Sequence, residues 1–299
     1  MLPVRDRADV VGRAVAGVLA QTFGDLELLV VDLGSSDRTM DAVRTVADDR
    51  VVIVDTDGAD SACAAALAAA TGRWATVISP DVEADAGWLA RTGRLVDSSG
   101  AGFVSCGGRQ IDARGTVTEF RPVDGGDGTV ACLRAGAFAT STQRLLAAAE
   151  LIGPELALGR GDGEREPAGH YGRVALDLAM LDGDVVVHSP ELLLSWHDSA
   201  PEDGAGSAAQ RTDDELQLHL ALQGLDALAR TPIPDERLLA RYATSGGVAA
   251  ARLQKGRDAR RLFRIACRAR PEVRDHWTRL LAAHLGPLGQ RMCAASPAG

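Results

Sequence analysis

The sequence predicts an α/β protein, a mostly parallel, doubly wound sheet followed by a helical C-terminal extension. Three observations predict it. Apolar runs of strand length alternate with helical patterns through the first hundred residues, as a parallel sheet covered by helices requires. In VVDLGSSDRT the apolar run ends on Asp32 and a Gly-Ser-Ser-Asp turn follows, which is how a buried strand presents a carboxylate at the mouth of such a sheet. After residue 210 strand patterns give way to helical ones such as RDARRLFRIACRARP.

Taken in order, residues 8–20 place Val11, Ala14, Val18 and Leu19 on one helical face, with Asp9 positioned to cap it. LELLVVD at 26–32 reads as the first clear strand, 39–49 as a helix, VVIVDT at 51–56 as a second strand. Alanine-rich SACAAALAAATG at 61–72 is a helix with a Gly stop, and WATVISP at 74–80 is a third strand closed by Pro80. A helix at 85–97 precedes an antiparallel pair in 102–120, which turns around Asp112 to Gly115. Residues 132–153 pass from strand-like to helical. The Gly-, Pro- and charge-rich interval 159–172 lacks a period and reads as a loop beside the site. A helix at 173–182, the strand DVVVHSP at 184–190 and a linker at 201–210 complete the reading.

Length and charge narrow the function. A chain of 299 residues holds one large α/β domain with an appendage. A formal charge of -9 argues against a nucleic-acid-coating protein. Residues 235–299 carry thirteen Lys and Arg against five Asp and Glu, a net of +8 that leaves -17 for residues 1–234. The apolar residues Leu262, Ile265, Ala266 and Ala269 recur at helical spacing among arginines, which predicts a helix packed on its own chain. Five cysteines without a C-x-x-C pair fit a reduced, cytoplasmic setting. The sequence shows neither a signal peptide nor a membrane-length apolar run. A dinucleotide-binding oxidoreductase is disfavoured, because the first strand-to-helix turn lacks G-x-G-x-x-G.

Three stretches, LPVRDRADVVGRAVAGVLAQTFGDLELLVVDLGSSDRTMDAV, ALAAATGRWATVISPDVEADAGWL and GDVVVHSPELLLSWH, resemble the family 2 glycosyltransferases in residue type, order and spacing. The resemblance implies a GT-A-like domain over 1–200, a linker and helix over 201–234, and a basic helical extension over 235–299. Family members open with a buried strand that runs into the Pro of the first loop. This chain starts at the end of that strand, so the strand is expected to be truncated, with the true start a few codons upstream of Met1.

The resemblance also implies a nucleotide-sugar donor, contacted by Pro3, Asp32 and Asp81. The family's Asp-Asp-Gly-Ser loop becomes Asp32-Leu33-Gly34-Ser35 here, and leucine cannot accept the uracil imide proton that a carboxylate would. Asp32 is therefore either a ligand contact or a cap for the next helix. Cys63 and Ala64 stand where the family has an Arg-Asn pair. The Asp-x-Asp motif, which holds a divalent Mg or Mn ion, becomes Ser79-Pro80-Asp81. A weakened metal site would be built from Asp81 with Glu83 or His197, the latter where some members carry a metal-binding histidine.

An inverting transferase needs a general base. Tyr171, Gly172 and Arg173 fall at the family's position for it, which leaves Glu166 or His170 as substitutes; Asp177 reads as a surface partner of Arg173. Two functions follow from this pattern. One is a sugar transferase acting on an unknown acceptor, and the other is an inactive homologue serving as a binding or assembly partner.

Overall fold

The computed structural model describes residues 1–55, 62–112, 114–122, 132–133, 135–152, 167–197, 206–229, 236–285 and 289. The chain divides into two compact units, one of residues 1–159 and 165–200, the other of 160–164 and 201–299.

The first unit is α/β. Strands β1 (Leu2–Val4), β2 (Leu28–Asp32) and β3 (Val51–Asp55) form a parallel sheet in that order. Helix α1 (Val11–Leu19) connects the first two and α2 (Thr39–Val46) the next. The apolar run of β2 is continuous because the strand is central: Leu28, Leu29, Val30 and Val31 are all buried. Helix α1 buries Val11, Ala14, Val15 and Val18 against it. Asp9 makes no cap, since the residue before α1 is Val10 and its carbonyl begins the helical ladder.

Helix α3 (Ala62–Ala69) leads to β4, a strand only at Trp74–Ala75. The predicted third strand nevertheless continues. The Met1 amine donates to the Thr76 carbonyl at 2.8 Å and the Ile78 N–H donates to the Met1 carbonyl at 3.0 Å, the alternation of a parallel ladder. Residues 76–78 therefore lie beside β1, on the side away from β2.

A second, mixed sheet has the order β4-β8-β6-β9-β5, with β7 paired to β6. Its strands are β5 (Val82–Ala84), β6 (Phe103–Ile111), β7 (Val117–Phe120), β8 (Phe138–Ser141) and β9 (Val186–His197). The expected antiparallel pair is β6 and β7, and Asp112 closes its turn by accepting the Thr116 N–H at 2.8 Å. Helices α4 (Trp88–Ser99), α5 (Thr142–Ile152) and α6 (Pro167–Leu181) belong to this unit.

In this unit two boundaries differ most from the sequence reading. Helix α6 begins at Pro167, not 173, because proline suits a first helical turn whose N–H would be unpaired anyway. The last strand runs on to His197 instead of ending at 190, since Leu193 and Leu194 bury themselves beside β6.

The second unit is helical: α7 (Gly206–Ala229), α8 (Glu236–Arg252), α9 (Gly256–Ala269) and α10 (Arg274–Ala282). Residues 206–210, read as linker, are the first turn of α7. Its core gathers Leu218, Ala249, Ala250, Ala251, Ala259, Leu262, Phe263, Ala282 and Ala283. Of the predicted stripe, Leu262, Ala266 and Ala269 are buried within the helical unit, joined by Phe263 and Cys267, while Ile265 is half-buried. Gly247 lets α9 approach α8, since a Cβ there would stand 2.6 Å from the Phe263 ring.

Gly136 holds the junction between the sheets. Its φ is +82°, and a Cβ would lie 2.1 Å from the Val77 carbonyl oxygen. Its own carbonyl accepts the Thr76 hydroxyl at 3.1 Å. Because the obstacle is backbone, Gly136→Ala is expected to destabilise the fold by at least ~2 kcal/mol. Equilibrium urea unfolding checks this, and an unchanged midpoint would contradict the assignment of the junction.

Candidate functional site

The parallel strands open at their C-terminal ends. The register sets Val4, Asp32 and Asp55 level with one another. Ser79-Pro80-Asp81 follows directly on the segment beside β1, so Asp32 and Asp81 flank the end of that strand. Open α/β sheets bind ligands in such a crevice.

Two loops, residues 5–8 and 33–38, cross this mouth and are laced together by side chains. The Asp6 carboxylate accepts the Ser36 N–H at 2.7 Å, the Ser36 hydroxyl at 3.1 Å and the Asp37 N–H at 3.3 Å. Its own N–H donates to the Ser35 hydroxyl at 3.2 Å. Asp6 adopts φ +49°, a left-handed conformation that Asp tolerates better than most residues. Asp37 accepts the Ala8 N–H at 3.1 Å and the Thr39 N–H at 2.9 Å, together with the Thr39 hydroxyl. The Thr39 hydrogen bond is the main reason its carboxyl sits below the usual range. The Arg7 N–H donates to the Thr39 hydroxyl at 2.7 Å.

Asp32 accepts the Ser35 N–H at 2.9 Å and so pins the turn that contains Gly34. The carboxylate at the start of α2 is Asp37. Sequence reasoning missed Asp6 and Asp37 as builders of the mouth; the available signal was a short acid just past each of two strand ends. Leu33 donates its N–H to the Val4 carbonyl at 2.9 Å and brings no polar side chain. Pro3 is buried in β1 opposite Val31, one residue short of the strand end.

Cys63 is buried at the start of α3, with Ala64 beside it. The Tyr171 hydroxyl, from α6, hydrogen-bonds the Cys63 sulfur, and burial pushes both groups' pKa values up. The residues at two positions where the resemblance implies polar site groups thus contact each other in the interior.

On the other flank, Ser79 is buried and its hydroxyl accepts the Asp81 N–H at 3.3 Å. Strand β5 pairs with the end of β9, setting Glu83 opposite Ser195. Glu83 Oε1 lies 3.1 Å from Arg13 Nη1 and 3.4 Å from His197 Nε2. The His197 N–H donates to the Asp81 carbonyl at 3.3 Å. The pairing of β5 with β9 thus places Glu83 beside His197 and Arg13, while Asp81 meets His197 through backbone atoms. The donor set does not fit a hard divalent ion. One oxygen of Glu83 is shared between Arg13 and His197, the Ser79 hydroxyl is held by an amide, and among the described residues no three His, Cys, Asp or Glu side chains converge.

Glu164 and Glu166 lie outside the described residues. His170, Arg173 and Asp177 are placed by their backbone within α6, and their side chains lie outside the description.

Asp6→Ala removes the acceptor for three hydrogen bonds and is expected to cost about 1–2 kcal/mol while speeding hydrogen exchange at Ser36 and Asp37. Unchanged exchange there would show that the loops are held otherwise. Because Asp37 has a lowered pKa in the fold, its contribution is present above the unfolded carboxyl value and fades as pH falls through the folded one. Acid titration of the wild type against Asp37→Asn checks this, the variant losing that part of the pH dependence.

Residues 1–124 match the family described as glycosyl transferase family 2. No curated protein matches the chain in sequence. Among solved structures it is similar to S. aureus TarS 1-349 in complex with UDP-GlcNAc, at 13% identity and a TM-score of 0.64, over 98% of this chain and 89% of that one. The UDP complex of the same protein gives 12% identity, a TM-score of 0.61 and the same coverage. Glucosyl-3-phosphoglycerate synthase from Mycobacterium tuberculosis is more distant, at 16% identity and a TM-score of 0.46 over 73% of this chain and 78% of that one. At such identities the likeness is one of fold. Residues 1–124 are thus similar in sequence to family 2 glycosyltransferases, and the chain carries a GT-A-like fold.

Proposed function

We propose that this protein transfers a sugar from a uridine diphosphate donor to an acceptor hydroxyl, with the donor seated at the mouth of the parallel sheet. The observation that carries the reading is the lacing of loops 5–8 and 33–38 by Asp6 and Asp37, with Asp32 on one side of β1 and Asp81 on the other. TarS, whose fold this chain resembles, was solved with UDP-GlcNAc and with UDP. The sequence of the mouth belongs to the matched family segment.

In this reading the side chains divide the work. Asp32 shapes the turn against which the base rests. Arg13 and His197, both held by Glu83 beside Asp81, face the charge of the diphosphate. A Mg or Mn ion would have to be held at Asp81, and since the donor set described above does not fit one, no step in this reading depends on it. Glu166 or His170, at or before the first turn of α6, takes the proton from the acceptor as it attacks the anomeric carbon. The chain remains in the cytoplasm and works without nucleic acid; a protein partner is the reading that survives if donor binding fails.

Thermal shift with UDP-GlcNAc, UDP and GDP, each with and without Mn²⁺, tests the proposal. A ligand at about 100 times its dissociation constant stabilises the fold by roughly 2.7 kcal/mol. Stabilisation by the uridine ligands is expected, with Asp81→Asn removing whatever part depends on Mn²⁺. Leu33→Asp alone is expected to gain little, because Cys63 and Ala64 remain buried and apolar. No shift with any nucleotide would overturn the transferase reading in favour of an inactive homologue that binds or assembles with another protein.

A further inference from the structure

We propose that the outward face of α9 and α10 docks onto an anionic lipid bilayer. In α9 the exposed arginines are Arg257, Arg261, Arg264 and Arg268. Their spacings of four, three and four residues set them within about 60° of arc along ~16 Å of helix, opposite the buried Leu262, Phe263 and Ala266. Among the described residues none of the four is ion-paired. The nearby acids are largely taken: Glu272 pairs with Arg270 and Asp275 with Arg279, which leaves Asp258 beside the row.

Helix α10 and the turn after it add apolar groups. Trp277, Leu281 and Leu285 recur one helical turn apart and are 46%, 68% and 66% exposed, while His276, Arg279, Ala282 and Ala283 face the core. Arg274 shares the exposed face. The Trp277 indole N–H donates to the Pro271 carbonyl at 2.9 Å, which fixes the ring at the end of the helix. Both faces point away from one shared core.

A solvated face has no use for a tryptophan and two leucines in a row, and exposed arginines in a row repel one another without a counter-charge. A bilayer of anionic lipid meets both demands. Headgroups neutralise the guanidinium row, whose stems lie along the surface, while Trp and Leu enter the boundary of the acyl region. The partition of charge favours this end over any other, since residues 235–299 carry +8 and the remainder -17. No described helix is long and apolar enough to cross a membrane, so the contact is with the surface.

Cosedimentation of the full chain with phosphatidylcholine vesicles, with and without about one third phosphatidylglycerol, tests the proposal. Binding is expected only with the anionic lipid and is expected to fall in high salt. Arg261→Gln with Arg264→Gln should weaken it about 25-fold, at roughly fivefold per charge removed. Independently, Leu281→Ser with Leu285→Ser should weaken it at least ~10-fold while leaving the melting temperature unchanged. Absence of binding to anionic vesicles, or binding that neither variant alters, would overturn the proposal. So would light scattering that shows a vesicle-free dimer which Leu281→Ser with Leu285→Ser dissolves, since the apolar row would then be covered by a second copy.

Discussion

The Asp6 carboxylate spans the first two crossover loops, accepting two amides and a hydroxyl from Ser36 and Asp37 while Asp37 reaches back to Ala8. Parallel strands end with carbonyls and amides that the sheet no longer pairs, so the loops that leave them must find partners elsewhere. Here the two loops satisfy each other. The turn after β2 is pinned by Asp32, α2 starts where Asp37 receives Thr39, and the approach to α1 is set by Ala8. Any ligand at the mouth of the sheet meets a surface whose shape comes from this exchange.

The other flank depends on how the two sheets join. Residues 76–78 are held by β1 on one side and by Gly136 on the other, and that strand leads into Ser79-Pro80-Asp81. Strand β5 then turns the chain towards β9, which carries His197 back to the Asp81 carbonyl. Charge at this flank balances internally: Glu83 lies between Arg13 and His197. That arrangement engages the Glu83 carboxylate with Arg13 and His197 instead of leaving it open to a metal.

The alternating pattern of the first eighty residues carried the fold, because buried parallel strands read as unbroken apolar runs and α1 as a helical stripe. Boundaries were less legible. The helix at Pro167 was hidden by a composition of Gly, Pro and charge, and the long β9 by a proline at 190. The proximity of Glu83 and His197 followed from the family resemblance, and in the fold it comes from the pairing of β5 with β9. Arg13 was not legible, because its partner lies seventy residues away across a helix-to-strand contact. Nor was the Cys63–Tyr171 contact, which joins residues more than a hundred positions apart on two different helices.

The central claim is that a uridine diphosphate sugar occupies the mouth between these two flanks. Amide hydrogen exchange measured with and without saturating UDP-GlcNAc tests it most directly, since it locates the ligand as well as detecting it. Slowed exchange confined to residues 33–37 and 79–83 is the result the account predicts. Unchanged exchange there at saturation, or protection confined to the C-terminal helices, would contradict it.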